Sequence, residues 1–374
     1  MEVRSCSHPF QSILLDFQPE HPYLFRETHE GGRTEGNGMR PVRRIAVLGG
    51  GTGISAALCG LARVATGDRR LDIVAVVATA DDGGSSGRLR RERGGIPPGD
   101  LRTCLLALAG GSETPLSRLL SHRYNGTGAL AGHSLGNLIL AAVAEEEGSY
   151  LRAAQLVGEM LGARGRVLPV SVEGIRLEAE VADGSRISGE SLIGRSPSAI
   201  RRVWLEPADP APAPGVVDAI RSADLVVLGP GSLFTSLLAV VLVPGVRDAV
   251  RACRGHRVLV ANLMTQPAET LGMDLCDHME ALDGHVGPGL FQTILAHGPA
   301  LSPSRVRPYD EQGSRPVVAE YRSSRPERLV TGDLVTRSGM IRHDADALAF
   351  RLLDLLDFVA PRTGATGGTV SSGA

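Results

Sequence analysis

Residues 44–64, RIAVLGGGTGISAALCGLARV, run from an apolar strand, Ile45 to Leu48, through Gly49, Gly50, Gly51, Thr52 and Gly53 into an apolar-periodic helix from Ile54 to Val64. Glycines let a backbone approach an anion closely, and a helix start offers unpaired N–H groups at the positive end of its dipole, so this turn predicts a phosphate cradle. Residues 72–93, DIVAVVATADDGGSSGRLRRER, repeat the arrangement: a buried strand, Ile73 to Ala78, delivers Asp81, Asp82, Gly83, Gly84, Ser85 and Ser86 to the same sheet edge. Open α/β sheets bind their ligands at that edge. Adjacent carboxylates followed by glycines and hydroxyls suit Mg2+ or the hydroxyls of a ribose or sugar, and the plainer reading of Asp81 and Asp82 is a solvated loop or a helix cap. The glycine run has neither the dinucleotide-binding spacing nor a Walker lysine.

The chain contains no lysine, so all 39 of its Lys and Arg residues are arginines, set against 41 Asp and Glu for a formal charge of −2. That removes Schiff-base chemistry and any lysine general base, and leaves phosphate charge to arginine, backbone or metal. Aromatic residues make up only 3% of the chain and no basic surplus exists, which argues against a nucleic-acid partner. Cys6, Cys59, Cys104, Cys253 and Cys276 are scattered, odd in number and without CxxC spacing, the pattern of a reducing compartment without a disulfide framework.

Residues 1–40 mix Pro, His, Glu and Gly without a signal-peptide pattern and read as a disordered extension, with Met39 an alternative start. After the aspartate loop, PPGDLR at 97–102 places Asp100 either as a helix cap or, beside the first two loops, as a metal or phosphate ligand. His133 and Asn137 lie one turn apart at the start of a helix, and His133 reads equally as a capping or core residue and as a ligand contact. Tyr150 to Leu161 is a further amphipathic helix, after which the period switches to alternation. Residues 166–206 read as a β-rich insertion with a hairpin turn at Asp183-Gly184.

A third glycine loop follows the apolar strand Asp224 to Leu228: Gly229, Pro230, Gly231, Ser232, then Thr235 and Ser236. Residues 225–246 are apolar enough to raise a membrane span, but Gly-Pro-Gly would break it after four residues, so no span is expected. The loop adds hydroxyls to backbone donors, a second clamp for phosphate or sugar. A valine at Gly51 is expected to block the cradle while leaving the fold largely intact. The strand Arg257 to Asn262 ends in Asn262, Thr265 and Gln266, whose amides and hydroxyl can read a uracil or a sugar amide. Asp277 and His278 are helical neighbours that diverge, and are no metal pair. The fold class is therefore α/β: a Rossmann-like, doubly wound, mainly parallel sheet in one domain over 41–358, followed by a flexible tail from 359.

In order along residues 43–356, the motifs GGGTG, ADDGGSSGRLR, PPGDLR, GHSLGNL, RGRVLP, LGPGSLFTS, NLMTQPAET and IRHD resemble the YvcK-like family, the gluconeogenesis factors, sisters of the 2-phospho-L-lactate transferase (CofD) family. The resemblance implies a cytoplasmic bacterial protein that binds UDP-sugars, chiefly UDP-N-acetylglucosamine. It further implies a regulatory role, through protein partners not identifiable from sequence, that links carbon metabolism to peptidoglycan synthesis and cell shape. Tyr309 and Arg342 match family positions that help hold the sugar nucleotide, tyrosine by stacking and arginine by its planar fork. The alternative is a Mg2+-dependent transferase of the 2-phospho-L-lactate type, with Asp81, Asp82 and Asp100 on the metal. The DDGGSSG form of the aspartate loop is the gluconeogenesis-factor version and argues against it. Ala345 stands where some relatives carry a phosphorylatable threonine. A homo-oligomer is compatible with this sequence.

Overall fold

The computed structural model describes residues 41–65, 70–111, 114–319 and 327–359; the expected N-terminal extension and the tail from 360 lie outside them. Seven strands form one parallel sheet: β1 (Arg43–Gly49), β2 (Leu71–Val77), β3 (Arg166–Pro169), β7 (Leu225–Leu228), β8 (His256–Val260), β9 (Thr293–His297) and β10 (Arg328–Gly332). Their spatial order is β10-β9-β8-β7-β1-β2-β3. Between β3 and β7 the chain makes a separate antiparallel sheet from β4 (Arg176–Val181), β5 (Arg186–Ser188) and β6 (Ile200–Glu206), in the order β5-β4-β6.

The apolar runs of the central strands follow from burial on both faces, because side chains alternate across a strand and a parallel sheet is covered on each side. Ala46, Leu48, Val74, Val76, Val226 and Leu228 point into one core, and Ile45, Val47, Ile73, Ala75, Val77 and Val227 into the other. The helices divide accordingly. The second core takes α1 (Gly51–Val64), α3 (Pro98–Leu108), α6 (Tyr150–Leu161) and α13 (Ala345–Val359), together with Leu120 of α4 (Pro115–Ser121) and Leu140 and Ala144 of α5 (Leu135–Glu147). The remaining helices in chain order are α2 (Gly84–Arg93), α7 (Glu190–Ile193), α8 (Val216–Arg221), α9 (Ala239–Val241), α10 (Val246–Ala252), α11 (Leu275–Val286) and α12 (Pro303–Asp310).

The predicted insertion is refined in one respect. Arg166–Pro169 is not part of it but the edge strand of the parallel sheet, with Val74 opposite Arg166 and Val77 opposite Pro169. The hairpin is as read: Ser185 N–H donates to Asp183 Oδ1 at 2.8 Å and Gly184 supplies φ +86°. The insertion is tied back to the core by His285 of α11. Its Nε2 accepts the Val203 N–H at 2.9 Å and its Nδ1 donates to the Ala281 carbonyl.

Among the described residues no single helix is long and apolar enough to cross a membrane. The apolar run after β7 is a π-helical stretch, Leu233–Leu238, continuing into α9 and separated from α10 by a 74° bend. Leu233, Leu237, Val240, Val246 and Val250 in it are buried in the first core.

Candidate functional site

Strand order sets the place of the site. β1, β2 and β3 step one way across the sheet, and β7 returns to lie on the other side of β1. The helical segments that follow β1 and β7 therefore run to opposite faces of the sheet where the winding reverses, which opens a crevice beyond the strand ends. The loops leaving these two strands are the first and third glycine loops. They meet directly: a Cβ on Gly53 would fall 2.3 Å from the Pro230 carbonyl oxygen and 2.7 Å from the Gly231 Cα. A cleft of about 690 Å3 lies over this junction.

Of the residues the sequence nominated, the cleft brings together Gly50, Gly51, Thr52, Gly53, Asp81, Asp100, Gly231, Ser232, Asn262, Gln266, Tyr309 and Arg342. Gly49 and Gly229 sit beneath it as turn residues: φ is +152° at Gly49 and +82° at Gly229, and a Cβ on Gly49 would strike Ile54. The first turn of α1 has no side-chain cap. Its Gly51 N–H is taken by Asp100, and the Thr52 and Gly53 N–H groups have no partner among the described residues. Gly51 itself has φ +45° and a Cβ there would fall 2.6 Å from Asp100 Oδ1. The expectation that valine at Gly51 spares the fold is thereby corrected: it would strain the backbone and displace a buried carboxyl.

Four nominated residues form a buried layer behind the cleft. Ser85 Oγ lies 3.1 Å from His133 Nδ1 and accepts from Asn137 Nδ2 at 3.2 Å and Ser134 N at 3.3 Å. Ser86 Oγ is 3.5 Å from the same Asn137 nitrogen and bonds the Asp81 carboxylate. Burial lowers the His133 pKa, so the ring is a neutral member of this network. These groups position the aspartate loop against α5 and do not line the cleft.

Asp82 parts from Asp81. Its Oδ1 accepts the Ser191 N–H at 2.9 Å, which docks the insertion onto the aspartate loop. Asp81 instead accepts the Gly83 N–H at 2.8 Å and faces the cleft. The expected trio Asp81, Asp82 and Asp100 is therefore not assembled around one point, and no group of three His, Cys, Asp or Glu among the described residues has metal-holding geometry. The carboxyl that joins Asp81 and Asp100 is Glu190, the first residue of α7.

The pKa shifts follow from this crowding. Burial and the Asp81 charge push Asp100 up to about 7, against the pull of the Gly51 N–H and Arg102. Burial, then Asp81, Asp100 and Asp82, push Glu190 up to about 8. Asp81 is raised too, by burial, in spite of its bonds from Gly83 and Ser86.

The third loop is held from behind. Glu269 accepts from the Phe234 N–H at 3.2 Å, the Thr235 N–H at 3.3 Å and the Thr235 hydroxyl at 2.7 Å, so its carboxylate sits at the start of the π-helical stretch. Thr235 thus faces Glu269 and not the cleft. Thr265 is likewise committed, accepting the Arg315 N–H at 2.8 Å and bonding Ser314 through its carbonyl. On the cleft side, Gln266 Nε2 donates to Ser232 Oγ at 2.7 Å and Asn262 Oδ1 accepts the Gly231 N–H at 3.2 Å.

At the far wall Tyr309 and Ile341 pack with Leu263 and Met264, and the Tyr309 hydroxyl accepts the Ile341 N–H at 2.9 Å. This bond fixes the backbone next to Arg342, whose exposed side chain makes no ion pair among the described residues. Sequence reasoning missed two contributors, Glu190 and His343, while Ser236, one of the hydroxyls of the third glycine loop, does line the cleft. His343 bonds the Ala261 carbonyl, and burial lowers its pKa to about 4, which keeps the ring neutral. Its place within IRHD was the available signal; Glu190, in a short polar return of the insertion, offered none.

Comparison with known proteins places this geometry. A sequence model of the 2-phospho-L-lactate transferase CofD family matches residues 45–334. The chain is 42% identical over 323 residues to a gluconeogenesis factor of Bacillus subtilis, covering 85% of this chain and 99% of that protein. It is 38% identical over 315 residues to the gluconeogenesis factor of Halalkalibacterium halodurans, covering 83% and 96%. A crystal structure of a UPF0052 family protein from Bacillus halodurans superposes with a TM-score of 0.79 at 38% identity, covering 84% of this chain and all of that one. With the matched segment spanning both glycine loops, the aspartate loop and the sheet that carries them, the chain belongs to the CofD family, in its gluconeogenesis-factor group.

Proposed function

We propose that this protein is a cytoplasmic UDP-sugar-binding regulator, with UDP-N-acetylglucosamine its leading ligand. Through protein partners it would couple carbon metabolism to peptidoglycan synthesis and cell shape. The observation that carries the reading is the junction of two glycine loops at the point where the sheet's winding reverses, with polar residues ranged on either side. Uncommitted N–H groups at Thr52 and Gly53 suit a diphosphate, and Asn262, Gln266, Tyr309 and Arg342 suit a base with its ribose. Membership of the gluconeogenesis-factor group supports a regulatory role.

A second reading, Mg2+-dependent transfer of the 2-phospho-L-lactate type, has the family description and the Asp81–Asp100 pair in its favour. The donor set fits the ion in kind. Asp81 and Asp100 are hard oxygen ligands, and Mg2+ commonly takes one or two carboxylates, water and the phosphates of its ligand. The ion would also neutralise Asp100, whose carboxyl lies against the same glycine turn that a diphosphate would occupy.

Thermal-shift titration separates the two. UDP-N-acetylglucosamine at 100 times its Kd should stabilise the chain by about 2.7 kcal/mol, with little effect of guanosine diphosphate or a deazaflavin. Stabilisation only by the latter two would reverse the order of the readings.

A further inference from the structure

One wall of the cleft belongs to the insertion and not to the sheet. It is made by Glu190, whose carboxyl lines the cleft and has neither a hydrogen bond nor an ion pair among the described residues. Its position is built on both sides. The Ser191 N–H donates to Asp82 Oδ1, and the preceding Gly189 takes φ +103° so close to the aspartate that a Cβ would fall 2.3 Å from Asp82 Oδ2. A Cβ on Gly83 would fall 2.6 Å from Ser191 Oγ. The fold thus presses α7 onto the aspartate loop, and the residue beside the contact is turned to the cleft.

For stability alone this carboxyl is a poor choice, since it is half-buried beside Asp81 and Asp100 without a counter-charge. Groups kept at such a cost cluster where they are used. The row of strand ends indicates what Glu190 meets. β8, β7, β1 and β2 are consecutive neighbours in the sheet, and the loops that follow them line the cleft in that order. With neighbouring strands about 4.8 Å apart, the row spans roughly 14 Å, the scale of an extended nucleotide-sugar. Asn262, Tyr309 and Arg342 stand at the β8 end, the two glycine loops with Asp100 against the first of them in the middle, and Asp81 and Glu190 at the β2 end. A diphosphate over the glycine loops, with its base against Tyr309 and Arg342, directs the sugar toward Glu190.

Resting on the UDP-sugar reading above, we propose that Glu190 is a specificity residue whose carboxyl hydrogen-bonds the hydroxyl groups of the sugar. The insertion, not the glycine loops, would then distinguish a nucleotide-sugar from the bare nucleotide. A carboxyl suits the task because its two oxygens can engage adjacent hydroxyls. A cleft without it still holds the nucleotide but leaves the sugar unread.

Calorimetric titration of the full chain with UDP and with UDP-N-acetylglucosamine tests this, using wild type, Glu190→Ala and Glu190→Gln. Wild type is expected to prefer the UDP-sugar. Glu190→Ala should lose about tenfold of that preference, the worth of one polar contact, with its UDP affinity within about twofold of wild type. Glu190→Gln, which keeps an acceptor and a donor in place, should retain most of it. An unchanged ratio of affinities in Glu190→Ala, or an equal loss for both ligands, overturns the assignment and leaves the UDP-sugar reading standing. A wild-type chain that binds neither compound overturns that reading, and the assignment with it.

Discussion

Asp82 and Ser191, 109 residues apart in sequence, are joined by a 2.9 Å hydrogen bond from the Ser191 N–H to Asp82 Oδ1. It is the point at which the insertion is fastened to the sheet-edge loop. Asp82→Ala should cost roughly 1–3 kcal/mol, as expected when a part-buried donor loses a charged acceptor. Hydrogen exchange should report faster exchange at Ser191 and its neighbours in α7 than in α3. Exchange unchanged at Ser191 would show that the insertion is held by other contacts.

Ligand-free stability should fall as pH rises from about 5 to above 8. Asp100 and Glu190 keep their protons to about pH 7 and 8 in the folded chain, against roughly 4 in the unfolded one. The stability they contribute is complete below pH ~4 and is lost as pH climbs through their folded values. His343 works in the opposite sense. Its folded pKa of about 4 makes the stability it contributes present above pH ~6.5 and lost on acidification toward 4. Asp100→Asn should flatten the alkaline side of the profile of melting temperature against pH. An alkaline limb as steep as in wild type would remove Asp100 as its source.

At pH 8, above the Asp100 value of about 7, Mg2+ should strengthen UDP-sugar binding by wild type, because a cation between the ionised Asp100 and a diphosphate cancels their repulsion. In Asp100→Asn that repulsion is already absent, so the affinities with Mg2+ and with a chelator should come within about threefold of one another. Titration calorimetry in the two conditions measures the difference. Equal Mg2+ dependence in wild type and variant would remove Asp100 from the ion.

Much of this was legible in the chain. The apolar runs at Ile45 and Ile73 and the glycines after them predicted parallel strands with a loop at each end, since a strand buried on both faces has no polar residues to alternate. The direction of individual side chains was not legible. Asp81 and Asp82 are adjacent and of one type, yet one faces the cleft and the other the insertion, because successive residues of an extended loop point apart. Thr235 and Thr265 read as ligand hydroxyls but meet Glu269 and the Arg315 N–H, partners that only the tertiary fold brings near. Edge strand β3 was assigned to the insertion because a four-residue run does not reveal which sheet it will join.

Gly53→Ala should destabilise the chain by roughly 1–3 kcal/mol and abolish ligand binding, since its Cβ would meet the backbone of Pro230 and Gly231, which cannot turn aside. The exposed Thr52→Ala is the comparison and should leave the melting temperature within a degree or so. Denaturant unfolding of the two proteins measures it. Equal stabilities would show that the two loops can separate.

Arg342→Ala should weaken UDP-sugar binding about tenfold to a hundredfold, the loss of a charge-assisted contact of roughly 1.5–3 kcal/mol. The ligand-free melting temperature should not change, because the side chain is exposed and carries no ion pair among the described residues. Tyr309→Phe should act differently, loosening the 341–343 backbone by removing the acceptor for the Ile341 N–H. Calorimetry and melting of both variants distinguish contact from support.

The carboxylate of Glu269 at the start of the π-helical stretch has a consequence for the thermodynamics of recognition. By bonding the Phe234 and Thr235 N–H groups, the Thr235 hydroxyl and the Ser232 side chain, it fixes the C-terminal end of the Gly229–Ser232 loop before any ligand arrives. A loop already ordered has little conformational freedom left to surrender, so an incoming ligand keeps most of its contact energy as affinity. In Glu269→Gln, where the anchor is weakened, the same contacts would carry a larger entropic penalty, visible as a less favourable binding entropy at nearly unchanged enthalpy.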